Sequence, residues 1–315
     1  MLFETIGSPL LWAAFIAFVL AMLAIDLGVF HRKAHEVSLT EAGIWSTVWV
    51  ALAAVFNIGV YFWFGAQRAL EFTTGYLIEK ALAVDNIFVF VVIFSTFAVP
   101  AIYQHRVLFW GVLGALVMRA AFILAGGAFL QRFHWAIYVF GALLAVTGVK
   151  LLVQRNQEMH PENNPLVRWF QKVFPVSPEF HGDKFLVLKK GRRYATPLLL
   201  SLVAVEVTDV IFAVDSIPAI FAITSDPFLV FTSNIFAILG LRSLYFLLGG
   251  IITKFAYLKV GLSFVLIFVG AKMLLIEVYK VPIVASLACI AGILGLSILA
   301  SVLKPRFSRE SSGTV

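Results

Sequence analysis

Six carboxylates interrupt long apolar runs of this chain: Asp26, Glu79, Asp85, Glu206, Asp209 and Asp215. An ionised acid at the centre of a bilayer costs about 2.5–3.5 kcal/mol on insertion scales, so a group of them implies pairing, protonation, bound cations or a watery cavity. The densest stretches are Glu79, Lys80 through Asp85, Asn86, and Glu206 through Asp209 followed by Asp215, Ser216. In both, an acid precedes the central aspartate by six positions. Six residues of ideal helix leave the two acids about 120° apart, so they do not share a narrow stripe. They line one cavity most easily if the second helix unwinds near Pro218.

The oxygen-rich set Glu79, Asp85, Asn86, Glu206, Asp209, Asp215 and Ser216 suits a hard divalent cation such as Mn²⁺, Mg²⁺ or Ca²⁺. Zinc and copper fit less well, because the 6 histidines fall in loops or at span ends. Five bases lie within or at the ends of the same spans: Lys80, Arg119, Lys150, Arg242 and Lys272. The competing account is a set of internal salt bridges. Burying ion pairs is a poor route to stability, since desolvation can exceed the attraction, so the clustering favours a polar pathway. Arg119 and Arg242 read as charge balance for the acids, while Lys150 and Lys272 lie close enough to span ends to snorkel. Asp26, near the inner end of its span, is open between headgroup contact and the pathway. Asn57 and Asn234 either bond between helices or add amide oxygens to a cation site. Six acids against five bases leave the interior at −1 if all ionise. An empty site that keeps some protons stays nearer neutrality, so metal and protons should compete, with efflux driven by proton exchange.

These side chains must be positioned by membrane-spanning helices. The 315 residues are 61% hydrophobic and 13% charged, with mean hydropathy +0.98, more apolar surface than a water-soluble domain can bury. Apolar runs of crossing length give about nine spans, near 9–30, 42–65, 72–98, 107–130, 134–153, 194–223, 227–251, 257–277 and 281–303. A β-barrel would alternate polar and apolar residues, whereas Leu262 to Gly270 is apolar throughout, so the fold is all-α. The first span is too long for a signal-peptide core and has no basic residue before it, so it stays as a helix. Trp12, Trp45, Trp49, Trp63, Trp110 and Trp135 read mostly as interface anchors. Cys289 is the only cysteine, which removes support for disulfides, thiolate metal sites and a cysteine nucleophile.

The net charge of +7 raises nucleic acid as a partner, but the placement of the 24 basic residues points to membrane lipid instead. With the N-terminus outside, only Arg68, Arg132 and Lys280 fall in outer loops, five bases lie in spans, and the other 16 fall in inner loops. That asymmetry gives an outer N-terminus and a cytoplasmic C-terminus. Eight inner charges lie in one proline-containing stretch, 154–193, ending in Lys189, Lys190, Gly191, Arg192, Arg193; it reads as a linker touching anionic lipid.

Residues 72–153 and 194–277 resemble one another. Ala83, Val84, Asp85 matches Ala213, Val214, Asp215; Gly114 with Arg119 matches Gly240 with Arg242; Gly148, Val149, Lys150 matches Gly270, Ala271, Lys272. Each unit has three spans, so the second copy enters from the opposite side. Transporters built as such inverted repeats place substrate near the midplane, often beside broken helices.

The motifs Asp26-Leu27-Gly28-Val29-Phe30, Glu79-Lys80 to Asp85-Asn86, Glu206 to Asp215-Ser216-Ile217-Pro218, and Ser233-Asn234-Ile235-Phe236 with Leu241-Arg242 resemble the TerC family, and within it the Alx-like members. The resemblance covers nearly the whole chain. It implies a single transmembrane domain over 1–315, kinship with LysE-type exporters, location in a bacterial inner membrane, and Mn²⁺ export. The metal identity follows from the resemblance alone, since the residues indicate only a hard cation. The expected function is therefore a secondary metal exporter without a nucleotide-driven domain, not an enzyme, and with no prosthetic group. Its alternative is a membrane assembly or metalation factor acting on other proteins. No motif supports an intramembrane hydrolase.

Overall fold

A computed structural model describes residues 5–30, 37–133, 135–153, 168–169, 172, 174–177, 179–189, 191–248, 257–279 and 281–310. The elements run α1 (Pro9–Phe30), α2 (Leu39–Phe64), α3 (Ala66–Thr96), α4 (Ala101–Arg132), α5 (Ala136–Val153), β1 (Leu186–Lys189), β2 (Arg192–Ala195), α6 (Pro197–Phe221), α7 (Pro227–Leu239), α8 (Leu241–Leu248), α9 (Leu258–Leu274) and α10 (Ile283–Glu310). Among the described residues, six segments are long and apolar enough to cross a membrane: α2, α4, α5, α6, α7 with α8, and α10. In α1 and α9 the apolar stretches are shorter, Pro9–Ile25 and Val260–Leu274. Along α3, apolar residues are broken by Glu71, Glu79, Lys80 and Asp85.

Local chemistry sets the helix ends. Ser38 caps α2 by accepting from the Glu41 amide at 3.2 Å, and Asp226 caps α7 by accepting from the Phe228 amide at 2.9 Å. Proline opens both α6 and α7, where its missing N–H is not needed. One residue, Gly65, joins α2 to α3; its φ of +89° is a backbone that glycine adopts without strain.

Between 89% of the α7–α8 segment and 11% of α10 is buried, so α7 is the central helix and α10 is peripheral. Around α7, the rings of Trp12, Phe15, Phe56, Phe72, Phe228 and Phe236 form one aromatic cluster joining α1, α2 and α3. Trp12 and Trp49 therefore depart from the interface expectation. Trp12 packs on Phe228 at 5.1 Å and Trp49 is buried, because both face a neighbouring helix. Trp63, Trp110 and Trp135 are exposed, as anchors would be.

Helices α5 and α9 cross closely. A Cβ added to Gly148 would meet the Ser263 carbonyl at 2.8 Å and the Ile267 nitrogen at 2.9 Å. One added to Gly270 would meet the Gly141 carbonyl at 2.6 Å and the Ala145 nitrogen at 2.7 Å. Partner numbers fall as residue numbers rise, so the two helices run antiparallel. Gly148, Gly141 and Ala145 stand 122 positions before Gly270, Ser263 and Ile267, so the second contact set is the first with the helices exchanged.

The described C-terminal part of the linker is folded. Its basic run forms the antiparallel hairpin β1–β2, with Gly191 at φ +77° in the turn, an addition to the all-α expectation. Arg106 at the start of α4 pairs with Asp183 and lies 5.5 Å from the Phe185 ring centre, so this segment packs against the end of α4. At the opposite end, Thr5 Oγ1 and the Ile6 amide both donate to Asp226 at 2.8 Å. Nearby, Thr224 donates to Glu71 at 2.7 Å and Arg68 to Glu71 at 2.9 Å.

Candidate functional site

Four helices meet through small residues, which let backbones approach. On α3, a Cβ at Gly75 would lie 2.9 Å from Ser233 Oγ of α7, and on α4 one at Gly111 would lie 2.8 Å from Val205 of α6. One turn along, a Cβ at Gly114 would overlap the Glu206 carboxylate. At Gly75 and Gly114 the backbones of α3 and α4 thus approach polar side chains of α7 and α6 directly.

Arg119 of α4, 1% exposed, is the centre of that space. Its Nε donates to Asp209 Oδ2 at 3.1 Å and its Nη2 to Asp209 Oδ1 at 2.9 Å, a bidentate pair with α6. Its Nη1 donates to Glu79 Oε1 of α3, and lies 3.4 Å from both Ser216 Oγ of α6 and Asn234 Oδ1 of α7. Asp209 and Ser216 are seven residues apart, almost two turns, and so share one face of α6. Among the described residues Glu79 Oε2, Asn234 Nδ2, Asn86 Oδ1 and Glu206 Oε2 have no hydrogen-bond partner, although each is buried. Groups of that kind usually bond to protein, water or a ligand. Asp209 also borders a cavity of about 10 Å³ between Gly111, Ala115, Val205 and Leu241, about one water in size.

The structure therefore gathers Glu79, Asp209, Ser216, Arg119 and Asn234, with Glu206 one turn from Asp209 and Asn86 two turns from Glu79. It does not bring Asp215 to them: the Asp215 side chain faces α5, where Thr147 Oγ1 donates to it at 3.3 Å. Pro218 does not break α6, which continues to Phe221; the missing N–H costs one bond near a helix end, and the Ala222 amide still reaches the Pro218 carbonyl at 3.0 Å. The interruption lies instead at Gly240, between α7 and α8. Lys80 faces that point: its Nζ lies 3.4 Å from the Ala237 carbonyl and 5.9 Å from the Tyr76 ring centre, so it serves a helix C-terminus rather than the acids. Arg242 is not beside Arg119's acids either. It lines a cleft with Glu41, Trp45 and Ser243 at the start of α2. Lys150 is exposed and Lys272 half-buried near the ends of α5 and α9. Asn57 bonds Thr73 of α3 at 2.7 Å, an interhelical contact. The side chains of Asp26 and Asp85 lie outside the described residues.

Among the described residues, no three histidine, cysteine or acidic side chains come close enough together to hold a metal ion. What the described geometry offers is a buried set of anionic and amide oxygens already engaged by one guanidinium. Sequence reasoning missed Glu71, Thr224 and Asp226. Glu71 falls one residue before the expected span 72–98, whereas α3 begins at Ala66. The Asp226-Pro227 pair is a helix-start signal that would have found the third.

Comparison with known proteins adds the family. Residues 64–309 match the pattern described as "Integral membrane protein TerC family". The chain belongs to the TerC family. Relatives of this TerC-family chain include an uncharacterized membrane protein of Myxococcus xanthus, 60% identical over 309 residues, covering 98% of this chain and 97% of that one. A protein of Escherichia coli K12, provisionally named membrane-bound redox modulator Alx, is 48% identical over 306 residues, covering 94% of this chain and 95% of its own. An uncharacterized membrane protein of Rickettsia bellii is 41% identical over 293 residues, covering 93% and 97%. No solved structure matches the chain. The TerC pattern contains all of α3 to α9 and so the whole Arg119 cluster.

Proposed function

We propose that this TerC protein is a secondary transporter that exports a hard divalent cation, with Mn²⁺ the first candidate, through the space between α3, α4, α6 and α7. The observation that carries the reading is the convergence of Glu79 and Asp209, from different helices, inside a membrane protein at a point 1% and 3% exposed. Stability alone is a weak reason to maintain such charges, because a buried ion pair is often no better than a well-packed apolar substitute. Acidic and amide oxygens from several helices are the donors a hard cation needs. Metal identity rests on the TerC resemblance.

A nine-span, inverted-repeat arrangement is part of this reading. It is supported by the antiparallel α5–α9 crossing, whose contacts exchange under one constant offset, and by Glu79 and Asp209, which occupy matching places six residues before Asp85 and Asp215. In that arrangement the substrate lies where the units meet. The redox term in the Escherichia coli relative's name does not lead to thiol exchange within this chain, because Cys289 has no second cysteine to pair with; metal handling offers an indirect link.

Purified protein in sealed vesicles tests the proposal. Mn²⁺ should cross without other proteins, ahead of Mg²⁺ and Ca²⁺; folded protein that moves none of them would refute it and favour an assembly or metalation role.

A further inference from the structure

Arg119 takes up the oxygens that a cation would need. Both oxygens of Asp209 and one of Glu79 accept from its guanidinium, leaving Glu79 Oε2 as the one free acid oxygen of that pair among the described residues. Asn234 presents its Oδ1 to the same guanidinium, while its Nδ2 has no partner. Asp209 and the arginine cannot separate without leaving charges unpaired in a buried space, unless another cation arrives as they part. Glu79, Glu206 and Asp209 with Arg119 sum to −2 when ionised, and Lys80 is directed away to Ala237. One divalent ion therefore balances the group.

Resting on the export reading above, we propose that Arg119 is a tethered competitor for the transported cation: guanidinium and ion take the same oxygens of Glu79 and Asp209 in turn. A site of buried carboxylates alone would hold a divalent ion too well to release it, and conduction requires binding weak enough to leave. The arginine supplies a covalently attached cation that refills the acids as the ion departs. Its planar fork matches a carboxylate in two bonds, which is why arginine suits this task at Asp209. Arg119 thus sets how readily the ion is released. Removing it converts a release site into a trap.

The test compares full-length wild type, Arg119→Gln and Arg119→Lys in nanodiscs for Mn²⁺ binding and in vesicles for Mn²⁺ flux. Wild type is measured first: if it neither binds nor moves Mn²⁺, the export reading fails, and this proposal with it, before any substitution is considered. With wild type active, Arg119→Gln should bind Mn²⁺ at least tenfold more tightly and transport it at least tenfold more slowly, while Arg119→Lys keeps near-wild-type binding and part of the flux. Binding that is unchanged or weaker in folded Arg119→Gln overturns the proposal alone. Should Arg119→Gln not fold, Arg119→Gln with Asp209→Asn keeps the net charge at −2 and leaves Glu79, but not position 209, as an acid without its guanidinium. Competition predicts affinity at or above wild type for this double variant despite one ligand fewer; a tenfold loss means that Arg119 only positions the acids, and overturns the proposal.

Discussion

Asp209→Asn and Glu206→Gln are the same chemical change made one turn apart on α6, and the structure predicts different costs for the two. Asp209 is 3% exposed and accepts two bonds from Arg119, at 2.9 and 3.1 Å. Its amide isostere keeps the shape but loses the charge, and turns one acceptor into a donor facing a guanidinium. Breaking a buried pair on one side costs about 3–5 kcal/mol. Glu79 still pairs with Arg119, so we expect the lower end, about 3 kcal/mol. Glu206 is half-buried, presses on Gly114, and has an oxygen without a partner among the described residues. Replacing it removes no described ion pair, so stability should change by less than about 1 kcal/mol.

Thermal unfolding of detergent-purified protein reads the difference. At about 2–4 °C per kcal/mol for larger domains, Asp209→Asn should lower Tm by about 6–12 °C and Glu206→Gln by less than about 4 °C. Flux separates folding from function: Glu206→Gln should still lose most Mn²⁺ transport if its carboxylate serves the ion. Equal Tm values for the two variants would refute the assignment of Asp209 as the arginine's principal partner. Full flux in Glu206→Gln would remove Glu206 from the pathway.

Four other outcomes follow. Reporter fusions should place residue 1 outside and residue 315 in the cytoplasm, in line with the asymmetry of basic residues; an active periplasmic reporter at the C-terminus would reverse the topology. Asp85→Asn should abolish Mn²⁺ efflux at near-normal membrane abundance, with exposed Glu179→Gln as control, and wild-type flux returns Asp85 to a structural role. If protons and metal take the same carboxylates in turn, apparent Mn²⁺ affinity should rise with pH with protons released on binding, and pH-independent binding without release rules out proton exchange. Gly148→Ala and Gly270→Ala should each cost at least about 2 kcal/mol, because the new methyl meets backbone that cannot move cheaply, whereas Gly292→Ala, with nothing within 4 Å, should be neutral; similar losses at all three would undo the α5–α9 crossing.

Much of the scaffold was legible because lipid imposes a simple rule: a helix satisfies its own backbone, so long apolar runs mark helices. The boundaries of α1 and α5 and the start of α10 accordingly lie close to expectation, while α10 continues seven residues past the expected 303 to Glu310. Which acids face one another was not legible. The spacing of six residues correctly separated Asp209 from Asp215, but nothing in the one-dimensional pattern says that α5 lies on the Asp215 side and supplies Thr147. Arg119 was recognisable as a counter-charge; that one guanidinium would take both Glu79 and Asp209 depends on four helices meeting at Gly75, Gly111 and Gly114. Lys80 was misleading for a physical reason. Beside Glu79 in sequence, it points about 100° away around the helix, toward the end of α7.

The unequal fate of the two arginines completes the argument. In sequence Arg119 and Arg242 are matched, yet Arg119 follows Asp85 by 34 residues and Arg242 follows Asp215 by 27. The path from acid to arginine is seven residues shorter in the second case, and its returning leg is interrupted at Gly240, whereas α4 runs unbroken through Arg119. Arg119 reaches the acids, and Arg242 ends near Glu41 at the start of α2. Glu79 and Asp209, from two different helices, are therefore served by one arginine. Had both arginines reached the space, Glu79 and Asp209 would each have had its own partner, and the local charge would have left little call for a divalent ion. Glu79, Glu206 and Asp209 are thus one positive charge short of the balance that two arginines would give, and on the export reading that shortfall is what an arriving cation meets.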